Sequence, residues 1–419
     1  MLNNLKNKIH RFLIWSQKYT QTDNIYLFRG GFWLILGQII WTAASFLLAM
    51  AFANLLDPAT YGNYKYILSL VGILSIFSLG GINVAVTQAA ARGLESSFYA
   101  GFQTKFKWSL LGSLVAIGAA IYYFVQGNEL LPIPLLILAI FFPLMQASRI
   151  YGNFLEGKKL FDIETKYGMA SQIIFVGAMI TTLFLTKNLF WLIAAYFVSN
   201  TFLNYFFYLR TKFKLQPNKK EDPQTISFGK HLTLIGILDR GSKEIDKVLL
   251  FTFIGPVELA VYSFAILIPN QIAATLANIK VLALPKLAAK SREEIKKNLM
   301  KKVRKLFIFV GAIIAVYIVA APYIYKIFFP KYLASVPYSQ LFILYLITIP
   351  FDLLSIFFQA KMMKKEIYLL RITGIVRLTL FAVLIPIWGI WGAILAMTGT
   401  QVFRAAFLFF LFRLSLRKQ

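Results

Sequence analysis

The 419-residue chain contains no cysteine, which excludes disulfide bonds and thiol chemistry. Its two histidines are His10 and His231, so a His/Cys metal site is not available to it. Acidic side chains are scarce: 17 Asp and Glu stand against 44 Lys and Arg, for a formal charge of +27. The chain also lacks a long polar stretch that would build a soluble domain. Apolar runs of about 20 residues, the length that crosses a bilayer core, recur from residue 31 almost to the C-terminus. The short connections leave no room for the carboxylate-bearing domain that a membrane glycosyltransferase or polymerase needs outside the bilayer. No enzyme, cofactor or metal constellation is expected.

What is present is hydrocarbon: 58% hydrophobic residues, 16% aromatic, 40 Phe and a mean hydropathy of +0.67, against about 45–50% apolar usage in soluble domains. The sequence therefore predicts an all-α integral membrane protein. Twelve spans are expected, at 31–53, 64–88, 106–125, 131–155, 168–186, 189–209, 231–254, 257–283, 306–326, 337–360, 367–387 and 389–412. Only Lys187, Lys326 and Lys331 fall in the loops of one side, and Lys65, Arg240, Lys243, Lys247, Lys280, Arg377 and Arg404 lie in or beside spans. All other cations collect on the opposite side, which the positive-inside rule makes cytoplasmic, together with both termini. This distribution makes the surplus charge a topology signal and argues against nucleic-acid binding. The AMAFAN stretch at 49–54 resembles a small-residue cleavage site, but the apolar run before it exceeds the roughly 7–15 residues of a signal-peptide core.

Four regions follow. Residues 1–30 form a cytoplasmic interfacial leader with Leu5, Ile9, Phe12 and Leu13 on one helical face. Residues 31–209 and 231–419 each hold six spans, and the Pro-containing basic segment 210–230 links them. A second amphipathic segment starts at Ser291, with Glu294 at capping-box spacing and Ile295, Leu299, Val303 and Leu306 as its apolar stripe. It reads as a headgroup-facing connector or as a site for an anionic lipid. The two halves share features. DPATYGNYKY (57–66) aligns with GPVELAVYSF (255–264), and FPLMQASRIYGNFLEGKKLF (142–161) aligns with IPFDLLSIFFQAKMMKKEIY (349–368). Six spans per repeat return the chain to the same side, so the expected architecture is two parallel-repeat six-helix bundles around a central cavity.

The seventh segment, LIGILDRGSKEIDKVLLFTFIG, contains Asp239, Arg240, Lys243, Glu244, Asp246 and Lys247 within nine positions. Its twelve Leu, Ile, Val and Phe residues between 231 and 254 favour insertion by roughly 4–7 kcal/mol, while six mid-helix charges oppose it by roughly 15–20 kcal/mol. The segment must face protein or water. Read as one helix, it puts Arg240, Lys243 and Lys247 on a single face at i, i+3 and i+7, suited to a phosphate-bearing ligand. The same spacing permits self-neutralisation, with Asp239 to Lys243, Arg240 to Glu244, Lys243 to Asp246 and Glu244 to Lys247. Both readings stand on the sequence alone. Lys280, Asp352, Gln359, Arg377 and Arg404 add polar groups in other spans.

FANLLDPATYGNYKYILSL after the first span and EIDKVLLFTFIGPVELAVYSFAILI across the seventh and eighth resemble the polysaccharide transport family. That family comprises O-antigen and lipid-linked oligosaccharide flippases of the multidrug/oligosaccharidyl-lipid/polysaccharide exporter superfamily. Asn54 stands where such proteins often carry Arg. The resemblance implies a flippase of the inner (plasma) membrane that moves an undecaprenyl-diphosphate-linked glycan outward by alternating access, for O-antigen or other lipopolysaccharide synthesis. It makes Arg240, Lys243, Lys247, Lys280 and Arg377 substrate-binding residues. Asp239, Glu244, Asp246 and Asp352 become ion-coupling or charge-pairing residues. Expected partners are the lipid-linked glycan, membrane lipids and polysaccharide polymerase machinery. The alternative is a cation-coupled multidrug antiporter of the multidrug and toxin extrusion type, with Asp239, Asp246 or Asp352 as its coupling carboxylate.

Overall fold

The computed structural model describes residues 24–237, 241–288, 292–360 and 363–417. The leader helix expected around Leu5–Leu13 and the capping serine Ser291 lie outside the described residues. Regular structure among the described residues is helical throughout.

The first half begins with α1 (Asn24–Leu55), α2 (Pro58–Leu74) and α3 (Gly81–Ala91). A 3-10 turn at Ser75–Ser78 joins α2 to α3 with a 53° bend. Then come α4 (Ser97–Val125), α5 (Pro132–Ser148), α6 (Ile150–Gly157), α7 (Phe161–Leu185) and α8 (Leu189–Leu215). The second half contains α9 (Gln224–Ile235), α10 (Ile245–Phe253), α11 (Pro256–Ala288), α12 (Arg292–Phe328) and α13 (Ser335–Phe342). A 3-10 stretch at Ile343–Phe351 leads to α14 (Asp352–Ala360), and α15 (Lys364–Leu369) and α16 (Ile372–Arg417) follow.

Nine helical stretches among the described residues are long and apolar enough to cross a membrane, and the bent α2–α3 pair makes a tenth. One of the nine, Lys365–Ser415, has 51 residues. A straight helix of that length would measure roughly 75 Å against a hydrocarbon core of about 30 Å. The chain resolves this at Gly389, whose φ of 54° and ψ of −126° interrupt the helix. A positive φ is readily available only to glycine.

Packing in a bilayer gains little from burying one apolar surface on another, so close approach of small side chains does more of the work. The α4–α5 contact illustrates it. Ser109, Gly112, Ser113, Ala116 and Ala120 form a buried small-residue stripe along α4. The Ser113 hydroxyl donates to the Ala139 carbonyl of α5 at 2.6 Å.

The two halves meet at one end of the bundle. Asp57 accepts from the Thr60 N–H at 2.9 Å and Pro58 occupies the first turn, so the start of α2 is fixed in sequence. A methyl on Gly62 would lie 1.8 Å from the Pro256 carbonyl oxygen of α11. The aligned stretches 57–66 and 255–264 therefore touch through backbone. Around them, the Phe264 ring stacks on Tyr332 at 3.9 Å and Tyr61 packs 4.9 Å from Phe264. Two helix ends exchange caps here. Lys331 donates to the carbonyls of Asn54 and Leu56 at 2.8 and 3.1 Å, and the Asn54 amide donates to the Phe328 carbonyl at 3.1 Å. The Lys331 ammonium and the Asn54 amide satisfy orphan carbonyls where the helix dipole is negative.

A separate polar clamp ties residues 216–235 to the first half. Glu95 is ion-paired with Lys158 and accepts the Asn218 N–H at 2.9 Å, while Arg92 meets Asp222 at 2.6 Å. Burial alone would push the Glu95 carboxyl up. Hydrogen bonds from Lys158 and Asn218, with the Lys158 and Lys220 charges, hold it below the usual carboxylate range. Thr233 of α9 accepts the Gly81 N–H of α3 at 2.9 Å.

Candidate functional site

The seventh segment is not one helix. The chain turns at Gly236 and again at Ser242–Glu244, separating α9 from α10. Gly236 precedes the charge cluster and Gly241 lies within it, and their low helix propensity adds to the cost of holding charges in a spanning helix. Of the cations expected on a single helical face, Lys243 lies in the turn and Lys247 in α10, so these two do not share one continuous helix. Asp239 and Arg240 fall outside the described residues. After the break, α9 packs on α3 in the first half, whereas α10 packs on α16 and α2.

The remaining predicted residues separate into three groups. Lys247 is ion-paired with Glu244, and Lys243 is exposed. The Glu244 side chain lies over Gly72 of α2, where a methyl would meet its Cγ at 2.5 Å. Glycine is what lets this carboxylate reach α2. Asp246 is buried, accepts from the Tyr262 hydroxyl at 2.6 Å, and has a second oxygen without a hydrogen bond among the described residues. The half-buried Arg377 of α16 is within electrostatic reach of Asp246 and Arg404, and its buried Nε has no acceptor among the described residues. Asp352 pairs with Arg404 at 2.9 Å. Lys280 belongs to α11, but its side chain lies outside the described residues.

Sequence reasoning missed a better-formed site in the first half. A cavity of about 450 Å³ lies between α1, α2, α7 and α8, with Leu267 of α11 on its wall. Two cations line it, Lys65 and Arg149, and no carboxylate does. Lys65 lies two turns into α2 from the Asp57 cap, its ammonium 5.3 Å from the centroid of the Tyr61 ring. Arg149 stands at the break between α5 and α6, exposed, with Pro143 inside the preceding helix. Ser45 and Gln172 bridge α1 and α7 along the lining with a 3.2 Å hydrogen bond.

The two regions communicate. Lys65 is within electrostatic reach of Lys247 and Glu244, and Tyr196, on the cavity lining, is within reach of Arg149 and Glu244. Lys65, Arg149 and Lys247 against Glu244 give a local net charge of +2. Cations in low-dielectric surroundings favour an anionic ligand. Two side chains with eight N–H donors between them, beside tyrosine hydroxyls and amides, suit phosphate or carboxylate oxygens. Among the described residues no cluster of three or more His, Asp or Glu is placed to hold a metal.

The signal for this site was in the sequence. Lys65 is a cation inside a predicted span with no acid closer than Asp57, and Arg149 lies six residues inside the predicted span 131–155. The charge distribution groups Arg149 with a loop, because a helix break cannot be read from hydropathy.

A family model described as "Polysaccharide biosynthesis protein" matches residues 51–337. No curated protein matches the chain. Among solved structures, the lipid II flippase MurJ in an inward closed conformation is similar at 12% identity and a TM-score of 0.68, covering 92% of this chain and 87% of that one. An inward-facing multidrug resistance MATE family transporter of the MOP superfamily is similar at 14% identity and a TM-score of 0.61, over 90% and 94% of the two chains. A MOP superfamily transporter from Pyrococcus furiosus, described as having a binding pocket of reverse polarity, is similar at 14% identity and a TM-score of 0.60, over 92% and 95%.

Proposed function

The chain belongs to the polysaccharide biosynthesis protein family, in the polysaccharide transport branch of MOP-type membrane transporters, and from that premise we propose that it flips a lipid-linked oligosaccharide. The substrate is an undecaprenyl-diphosphate-linked glycan carried from the inner to the outer leaflet of the cytoplasmic membrane for cell-surface polysaccharide synthesis. Its path runs between two parallel-repeat six-helix bundles, 31–209 and 231–419, twelve spans in all. Breaking the 51-residue Lys365–Ser415 stretch at Gly389, and counting the α2–α3 and α9–α10 pairs as one span each, supports that number. Both termini are cytoplasmic, which makes the Asn54/Lys331 end the outer one, closed here.

The observation that carries the reading is the carboxylate-free lining around Lys65 and Arg149. A diphosphate needs cations without competing anions, and charge-assisted hydrogen bonds contribute about 1.5–3 kcal/mol each. Lys65 and Arg149 hold the diphosphate or acidic sugars, and Lys247 completes the site from α10, balanced by Glu244. Lys243, Arg377 and Lys280 are secondary contributors, and Asp246 orders Arg377. A cation-coupled drug antiporter would place a coupling carboxylate on the cavity wall. Here Asp246 is engaged with Tyr262 and Asp352 with Arg404.

The test is flipping of a fluorescent undecaprenyl-diphosphate sugar in proteoliposomes. A Lys65→Gln/Arg149→Gln variant that inserts and elutes like wild type is expected to lose about tenfold or more in rate, from the loss of one to two charge-assisted bonds. Wild-type flipping by that variant rejects the site. Drug-stimulated cation exchange without any glycan flipping rejects the function.

A further inference from the structure

Outside that cavity, a second open volume belongs to the second half of the chain. A groove of about 930 Å³ runs between α12, the 3-10 stretch and α16. Met300, Val303 and Phe307 form one wall, Ile347 and Phe351 the floor, and Val402 and Phe409 the other wall. The small side chains Ala405 and Ala406 of α16 leave the space open. Its uncharged polar lining residue is Thr348, whose hydroxyl already donates to the Tyr345 carbonyl at 2.7 Å. The floor therefore offers a ligand nothing but hydrocarbon.

The remaining lining residues are Lys301, Arg304 and Lys305. Their i, i+3 and i+4 spacing puts them on one face of α12, and all three are exposed. No carboxylate among the described residues forms an ion pair with any of them. An apolar slot with three exposed cations at its edge has the polarity of one ligand type, a hydrocarbon tail carrying an anionic head. Arg304 can grip a phosphate bidentately and the lysines supply point charge. The amphipathic sequence from Ser291 to Leu306 places this edge at the headgroup level on the basic side of the protein.

We propose that this groove is a binding site for an acidic phospholipid of the membrane, with its acyl chains against Phe307, Phe351 and Phe409 and its phosphate on Lys301, Arg304 and Lys305. It shares no residue with the Lys65/Arg149 cavity, so it is separate from the transport path. By bridging α12 to α16, the lipid couples the charged connector to the last helix.

Native mass spectrometry of the delipidated full-length chain tests this, with phosphatidylglycerol and phosphatidylcholine of identical acyl chains added separately. Each cation beside an acidic headgroup strengthens association by about fivefold, so wild type should retain phosphatidylglycerol at least about tenfold better. K301Q/R304Q/K305Q should bring the two lipids to parity, whereas Lys212→Gln/Lys214→Gln on α8 should leave the preference intact. Ala406→Trp, filling the groove from an exposed position, should reduce retention of both lipids. Equal retention of the two lipids by wild type overturns the proposal, as does full retention by Ala406→Trp. Undecaprenyl phosphate displacing equimolar phosphatidylglycerol, with loss of that displacement in the triple variant, would reassign the groove to the tail of the carried lipid.

Discussion

Substituting Gly62 by alanine should open the end of the bundle closed by α2 and α11. The added methyl would lie 1.8 Å from the Pro256 carbonyl oxygen and 2.5 Å from its carbon. Both atoms are backbone, so no rotamer change relieves the clash. Restoring an ordinary contact of 3.4 Å requires a shift of about 1.6 Å, the difference from 1.8 Å, across an interface also fixed by the Lys331 and Asn54 caps. Overpacking of this kind costs about 1–3 kcal/mol, and at 2–3 kcal/mol the closed-to-open ratio falls by roughly 30–150-fold. The absence of cysteine makes the measurement direct. Spin labels at Lys187→Cys and Leu333→Cys, both exposed, report the separation of the α7–α8 and α12–α13 connections by pulsed electron resonance. Gly62→Ala should move the distance distribution to longer values. Lys331→Met, which removes two cap hydrogen bonds without adding bulk, should do so more weakly. An unchanged distribution in both variants would refute the idea that this contact sets the closed state.

Tyr262→Phe removes the hydrogen bond to Asp246, whose other oxygen already has no hydrogen bond among the described residues. It should lower unfolding stability by about 1–3 kcal/mol, measured by denaturant titration in detergent, and Tyr262→Phe/Asp246→Asn should recover part of that loss. At Glu95 the folded carboxyl lies below its ordinary range, so its stabilising contribution is present above the unfolded pKa of about 4.3 and lost as pH falls through the folded value. Glu95→Gln should therefore lower the melting temperature at pH 6, and its difference from wild type should shrink below about pH 4. A pH-independent difference would sink that account.

Helix content and span position were legible because hydropathy over about 20 residues reports burial in lipid directly. The described helices accordingly begin and end near the predicted spans: Leu189–Leu215 answers to 189–209, and Pro256–Ala288 to 257–283. Breaks were less legible. The turn at Ser75–Ser78 and the step at Arg149 carry no proline of their own, and tertiary contacts decide them. The same blindness hid the cavity. A helix-face count requires one continuous helix, which the seventh segment does not supply, and pairing Lys65 with Arg149 requires knowing that α2 and the α5–α6 break open onto one space. The expected pair Glu244 to Lys247 does form, being local to one turn. Asp246 instead finds Tyr262, sixteen residues on in another helix, which helical spacing within the segment cannot anticipate.

Three functions converge on α2. Gly62 meets Pro256 across the closed end, Lys65 faces the cavity, and Gly72 accommodates Glu244. At 100° per residue these positions span about 80° of the helix surface, so one side of α2 addresses all three. The helix is short, with a cap at Asp57 and a turn at Ser75–Ser78. Opening the Gly62 contact should therefore move Lys65 relative to Glu244 and Lys247 on the partnering α10 segment. Glu244 cannot follow freely, because it is ion-paired with Lys247 on its own helix turn. Separation of the halves would thus withdraw the mutually neutral Glu244–Lys247 pair from Lys65 and leave the cavity's two cations without a carboxylate in reach, in the same motion that changes its access. On the proposed flippase reading, a bound diphosphate would take the place of Glu244 as counter-charge to Lys65, lower the electrostatic cost of that separation and tie opening to occupancy.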